Sequence, residues 1–339
     1  MKMKIFFLVC FFLALSGRLD AQNVTKVGTT VMGFLKIDVG ARAMGMGGAY
    51  VANSEDVTGM FWNPAGIARL KNSEAIFSHT NWIADVDFDY AGIAIPLPRI
   101  GIIGLNATFL TMDPMERTTT IYPEGTGETF DAGQYAFGIA YGRELTDRFS
   151  IGFNVKYINE TIRNCSASGF SMDLGTLFTT NFNGMKIGMS ISNYGTKMRM
   201  AGRELLVQHD IDAANPGNNE NLNAQLDTGS FDLPLLFRVG VSMDMLKGYG
   251  NSNLILSVDA LHPNDDVEYV NIGGEYVYNK LVALRAGYKS LFAERSEEGL
   301  SMGAGFIAHP IGMRLTVDYA YRNFGVLKDI NMFTLGLAF

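Results

Sequence analysis

The chain has 339 residues, 47% hydrophobic and 18% charged, with 27 Lys and Arg against 34 Asp and Glu and a net charge of -7. That acid excess argues against a nucleic-acid partner or an anionic surface. The two cysteines, Cys10 and Cys165, supply no disulfide framework, because Cys10 falls in a leader.

Lys2 and Lys4 precede an apolar run, Ile5 to Leu15, which has the charge and length of a secretory signal and is too short to span a membrane. We take residues 1–21 as the export signal, with cleavage after Ala21. Its removal takes away three basic residues and one acidic residue, leaving 24 against 33 and a net charge of -9. The mature chain leaves the cytoplasm, and no later stretch has the continuous apolar run that a spanning helix needs. If it sits in a membrane, it does so as strands.

Residues 22–72 form the second segment. From Gly33 to Leu70 there is no strict alternation, six glycines fall between Gly40 and Gly66, and the stretch ends in Asn63-Pro64-Ala65-Gly66. Glycines at Gly45, Gly47 and Gly48 permit close backbone approach or positive φ, and Pro64 fixes φ while removing a donor. This composition suits a segment folded compactly inside something else, an N-terminal plug. Arg42 is the cation among its glycines. It either anchors a movable plug or makes a permanent structural ion pair, with Asp173, Asp259 or Asp318 as partner. Asp56 either joins that pairing or caps the short stretch leading to Trp62.

Residues 73–339 alternate with period two. Tyr135, Phe137, Ile139 and Tyr141 share one face, and Gln134, Ala136, Gly138, Ala140 and Gly142 the other. The same rule separates Phe153, Val155 and Tyr157 from Asn154 and Lys156, Phe237 and Val239 from Arg238, and Leu315, Val317 and Tyr319 from Arg314, Thr316 and Asp318. Lys156, Asp173, Arg238, Asp259, Arg314 and Asp318 are therefore the candidate charges of an enclosed lumen. About fourteen strands are expected, starting near Glu74, Asp89, Gly101, Gly133, Phe149, Gly169, Gly184, Leu235, Asn253, Tyr269, Leu281, Gly299, Ile311 and Met332. Alternation alone fits a soluble sandwich equally well. The connections discriminate: short ones such as Thr146-Asp147-Arg148 interleave with long ones such as Asp113 to Ala132 and Gly195 to Ser230, as periplasmic turns and outer loops do in outer-membrane barrels. The reading is an all-β, transmembrane antiparallel barrel in the bacterial outer membrane.

Gly40-Ala-Arg-Ala-Met-Gly-Met-Gly-Gly-Ala-Tyr50, then Asp56, then Trp62-Asn-Pro-Ala-Gly66, resembles the opening signature of the PorV/PorQ proteins, members of the wider FadL-like outer-membrane barrels. The likeness continues through His79-Thr-Asn-Trp82, Asp173-Leu-Gly175, Asn193-Tyr-Gly195 and Leu284-Arg-Ala-Gly-Tyr288. It implies a fourteen-stranded barrel whose N-terminal segment plugs the periplasmic half. It further implies a role in type IX protein secretion or surface attachment, with secretion machinery and exported proteins bearing C-terminal signal domains as partners. The alternative is a FadL-like channel for hydrophobic small molecules. Inward sets dominated by Gly, Ala, Ser and charge fit a packed or wet lumen better than an apolar pocket.

No catalytic, cofactor or metal site is expected. Tyr50 stands where the third glycine of a dinucleotide loop belongs, the four histidines lack ligand spacing, and no Gly-x-Ser-x-Gly turn is present.

Overall fold

The computed structural model describes residues 27–212, 214–215, 221–248, 250–293, 296–310 and 312–339. The export signal and part of the Asn215–Asn223 run lie outside the described residues.

Fourteen long strands close into one antiparallel barrel: β1 Glu74–Asn81, β2 Val86–Leu97, β3 Gly101–Met112, β4 Ala132–Thr146, β5 Phe149–Ile162, β6 Cys165–Thr179, β7 Lys186–Gly195, β8 Leu236–Asp244, β9 Asn253–Pro263, β10 Tyr269–Tyr278, β11 Val282–Leu291, β12 Leu300–Ala308, β13 Arg314–Asn323 and β14 Asp329–Ala338. Each begins within four residues of the start expected from alternation and turn residues. Every strand pairs with its sequence neighbours. The ring shuts where Glu74 to Asn81 face Ala338 to Asn331, and the Phe339 N–H donates to the Ser73 carbonyl at 2.9 Å. Closure satisfies the backbone groups that an open sheet would leave unpaired in lipid.

Side-chain parity sorts as the sequence pattern implied. Phe137, Ile139, Phe153, Val155, Val241, Leu284, Phe306, Val317 and Leu335 are exposed around the outside, while Ala140, Asn154, Ser190, Asp259 and Asp318 on intervening positions are buried. So much exposed apolar side chain on a closed ring marks a lipid-facing belt. Aromatics reinforce it in pairs across neighbouring strands, Tyr157 with Phe170 at 5.4 Å and Tyr319 with Phe333 at 4.9 Å between ring centres.

One end of the barrel carries the connections 82–85, 113–131, 163–164, 196–235, 264–268, 292–299 and 324–328; the other carries 98–100, 147–148, 180–185, 245–252, 279–281 and 309–313. The two longest share the first end, which faces the outside of the cell by the loop-length rule. Departures from it include the two-residue outer turn between β5 and β6, with Arg163 at φ 51°, the short outer connection 82–85, and 245–252, which is long for a periplasmic turn.

Candidate functional site

The lumen is occupied by the chain's own residues 30–70. Val39, Ala41, Met46, Tyr50, Val51, Trp62, Asn63, Ala65 and Ile67 are all 1% exposed or less. The resemblance implied filling of the periplasmic half. The segment in fact begins at the outer rim, where Thr30 and Lys36 reach Asp265 just beyond β9, and descends to Leu70 beside the start of β1 at the periplasmic rim. It is built from short pieces: a 3-10 turn Gly33–Lys36, helix α1 Ala41–Gly45, helix α2 Gly59–Trp62 and a 3-10 turn Pro64–Arg69. Helices this short have no independent stability and persist because they are packed.

The Asn63-Pro64 turn shows how local sequence sets that packing. Pro64 occupies the first helical position, where its missing donor costs nothing. The Asn63 Oδ1 accepts from the Ala65 N–H at 3.1 Å, and its Nδ2 donates to the Val51 carbonyl at 2.9 Å and to the Thr176 carbonyl on β6 at 3.0 Å. One side chain thus caps a turn, ties two parts of the segment and fastens both to the wall. Gly47 and Gly48 sit at φ 65° and 73°, and a side chain at Gly47 would run into the Tyr288 backbone N at 2.6 Å.

The wall answers with glycines of its own. A Cβ at Gly152 or Gly175 would meet Asn63, Pro64 and Ala65; at Gly188 or Gly240, Val51; at Gly273 or Gly287, Met46. Strand glycine weakens a sheet unless a backbone must come close. Here it is the luminal segment's backbone that comes close at five of these positions, and the Val51 side chain at Gly240.

Charges hold what the glycines admit. Arg42 on α1 binds Glu275 of β10 in bidentate fashion, Nη2 to Oε1 at 2.6 Å and Nε to Oε2 at 2.8 Å, with Asp56 3.3 Å from its Nη1. Arg285 of β11 continues the chain, 2.7 Å from Glu275 and 2.6 Å from Asp318. The expectation that Arg42 meets Asp173, Asp259 or Asp318 is therefore corrected. Parity on β10 turns Glu275 inward beside Arg42 of α1, and Arg285 stands between Glu275 and Asp318. Asp56 joins the Arg42 pairing through one oxygen, which also takes the Tyr50 hydroxyl, while its other oxygen accepts from the Thr58 N–H at 2.9 Å in the turn before α2.

The remaining predicted charges are dispersed. Asp259 accepts the Tyr50 and Val51 N–H groups at 2.7 and 2.8 Å. Lys156 pairs with Asp173 at 2.9 Å and donates to Asn193, whose φ of 64° marks the register break between β6 and β7. Arg238 lays its guanidinium over Trp62 and Phe61, 5.3 and 5.7 Å from the ring centres. Arg314 stands at the periplasmic rim, half exposed and 2.5 Å from Glu74.

A second ionic cluster was not foreseen. Asp38 of the segment lies 2.6 Å from Arg322 and 3.2 Å from Lys289, and Lys289 is 2.7 Å from Glu298. Burial by itself would raise the Asp38 carboxyl, but Arg322 and Lys289 hold it at about 2. Burial pushes the Tyr50 hydroxyl well above the usual tyrosine range, so it stays protonated and donates to Asp56. Glu275, Arg285, Lys289 and Arg322 were all legible from parity: Leu284 and Tyr288 point out, so Arg285 and Lys289 point in.

Hollows remain at both ends. A cavity of about 240 Å³ beneath α1 is lined by Arg42, Glu74, Glu275, Arg314 and Asp318, and one of about 900 Å³ at the outer mouth by Lys36, Ile37, Trp82, Lys289, Phe292 and Glu298. Among the described residues, no group of three or more His, Cys, Asp or Glu is placed to hold a metal ion.

Comparison with known proteins bears on the whole arrangement. The profile described as type IX secretion system protein PorV matches residues 20–215. No curated relative matches in sequence. Among solved structures, a Pseudomonas aeruginosa FadL homologue superposes with a TM-score of 0.53 at 13% identity, covering 89% of this chain and 98% of that one. The toluene transporter TodX of Pseudomonas putida gives 0.55 at 11% identity over 88% and 97%, and TbuX of Ralstonia pickettii, another toluene transporter, 0.52 at 11% over 88% and 97%. At these identities the likeness is one of fold alone.

Proposed function

Because this chain belongs to the PorV family of type IX secretion system proteins, we propose that it is an outer-membrane barrel serving secretion or surface attachment of exported proteins. In this reading residues 30–70 are a fixed plug. The barrel then presents its outer loops to exported cargo and secretion machinery and is not itself the conduit.

The observation that carries the plug is the match between wall and segment. Five wall glycines receive backbone from the segment and a sixth, Gly240, the Val51 side chain, and the Arg42–Glu275–Arg285–Asp318 chain locks it ionically. Withdrawing such a segment would break these pairs and leave charges of the wall without partners, a cost of about 3–5 kcal/mol for a buried pair. A lumen filled this way has no route for a folded or extended protein, which leaves the loops as the working surface. Deleting the gene tests the role. Cargo with C-terminal signal domains should accumulate in the periplasm, and unchanged export would refute it.

A second reading is supported by the outer-mouth cavity. Its apolar side, Ile37, Trp82 and Phe292, suits a hydrophobic small molecule of the kind carried by FadL-like channels. Extraction of the purified barrel and analysis for bound lipid or hydrocarbon separates the two. Stoichiometric apolar ligand supports a channel, and its absence from protein that restores cargo export supports the secretion role.

A further inference from the structure

The outer end of the luminal segment makes contacts unlike the rest. Residues 27–37 pack against strand side chains such as Phe88, Tyr90 and Ile158, and also hold the roots of two outer connections. The Val31 N–H donates to the Asp232 carbonyl at 3.1 Å, and Thr30 bridges Asp232 in the parallel sense. The Thr30 Oγ1 and Lys36 Nζ converge on one oxygen of Asp265, at 2.6 and 2.7 Å, and Asp265 is buried. Met32, Phe34 and Leu35 form one apolar cluster with Met198 and Leu233, which lie near the two ends of the 196–235 connection.

The wall is incomplete at this level. Pairing between β7 and β8 stops at Ser192 opposite Leu236, and β9 ends level with it at Pro263, whereas β6, last paired to β7 at Ser171, runs on to Cys165. Above Leu236 the gap is filled by the connection itself. Thr196 and Ala201–Gly202 bond along β6, Met198 pairs with Phe231, and the Asn264 N–H donates to the Leu235 carbonyl at 3.0 Å. The segment braces this patch from inside. At its far end Val27 is 68% exposed and lines the mouth cavity.

We propose that residues 27–37 are a strap that emerges at the cell surface and fixes the shape of the 196–235 docking loop by latching onto Asp232 and Asp265. The luminal segment as a whole crosses the lumen, from Val27 at the outer mouth to Leu70 at the periplasmic rim. The loop it holds carries exposed Leu206, Ile211, Leu226 and Phe231, apolar anchors of the sort that protein partners bury. Only the word docking rests on the secretion reading; the strap itself is tested without any cargo.

Single cysteines at Val27, at Tyr122 in the outer 113–131 connection and at Asn279 in a periplasmic turn are treated on intact cells with a membrane-impermeant maleimide, with the parent chain reporting on buried Cys165. Val27→Cys and Tyr122→Cys should react, and Asn279→Cys only after permeabilisation. Val27→Cys protected while Tyr122→Cys reacts would overturn the strap. Tyr122→Cys protected while Asn279→Cys reacts would overturn the outward assignment of the long connections, and the proposal with it. Asp265→Ala should then raise external protease cleavage within 196–235 by about tenfold without unfolding the barrel, because a locally held loop opens more often when its latch is lost. Cleavage equal to that of the parent would remove the latch.

Discussion

Arg42 and Glu275 stand 233 positions apart in sequence, yet they meet in the lumen as a bidentate pair whose carboxylate is 1% exposed. The relationship joins α1 to β10, and through Arg285 to β11 and β13. Glu275 serves two guanidinium groups, so losing either partner has an unequal result.

Arg42→Ala should lower the stability of the folded barrel by about 2–3 kcal/mol, below the ~3–5 kcal/mol typical of a fully buried pair, because Arg42 is partly exposed and Glu275 keeps Arg285. Glu275→Gln should cost more, leaving Arg42 and Arg285 facing each other with one carboxylate fewer. The temperature at which unheated folded barrel converts to the unfolded band on a gel ranks the two. An Arg42→Ala variant that melts with the parent would show the pair to be ornamental.

The wall glycines make a sharper test, because they act through shape alone. Gly152→Leu places a side chain where Pro64 and Ala65 lie, whereas Gly133 has only the Leu110 carbonyl near, at 3.7 Å. Overpacking costs about 1–3 kcal/mol where neighbours yield and more where backbone must move. Gly152→Leu should therefore destabilise the barrel or displace the segment, detected as steady ion conductance in planar bilayers, while Gly133→Ala behaves as the parent. Equal conductance and equal melting for both would contradict a fixed plug.

Much of this architecture was legible because a barrel strand obeys one rule. Lys156, Asp173, Arg238, Asp259 and Asp318 are buried as parity required, and Arg314 differs because it lies at the rim, where inward still means wet. The partner of Arg42 was not legible. Glu275 faces inward as Asp173, Asp259 and Asp318 do, and the sequence tells which face a residue takes but not how high the enclosed helix sits. Asp38 escaped for the related reason that residues 30–39 were not expected to reach the outer rim. The segment has no period of its own, so its course is dictated by the sockets it fills.

Asp38 also sets a pH limit. Its carboxyl lies at about 2 in the folded protein, below the ordinary 3.8, because Arg322 and Lys289 outweigh its burial. A group depressed in the folded state contributes stability that is present above its unfolded pKa and is lost as pH falls through the folded one. The shift corresponds to about 2 kcal/mol, complete above about pH 5 and gone near pH 2. Melting of the parent barrel should fall across that window, and Asp38→Asn should flatten this part of the fall while lowering stability at pH 7. A variant with the parent's full acid profile would show that other carboxylates carry it.

Fluorescence reports on the enclosed segment directly, because the chain has only two tryptophans. Trp62 is 1% exposed; its indole N–H donates to the Val39 carbonyl at 2.9 Å, and its ring is flanked by Tyr50, Phe61 and Arg238. Trp82 lies near the outer rim against Phe324, 5.4 Å between ring centres, and lines the mouth cavity. Trp82→Phe isolates the buried reporter. Its remaining emission should resist acrylamide in the folded barrel and become quenchable only on unfolding. In the complementary Trp62→Phe variant, emission should quench readily in the folded state, with a loss of stability of about 2–3 kcal/mol from the vacated ring volume and the unpaired Val39 carbonyl. If isolated Trp62 were quenched as easily as Trp82 in intact barrel, the segment would not be where these contacts put it.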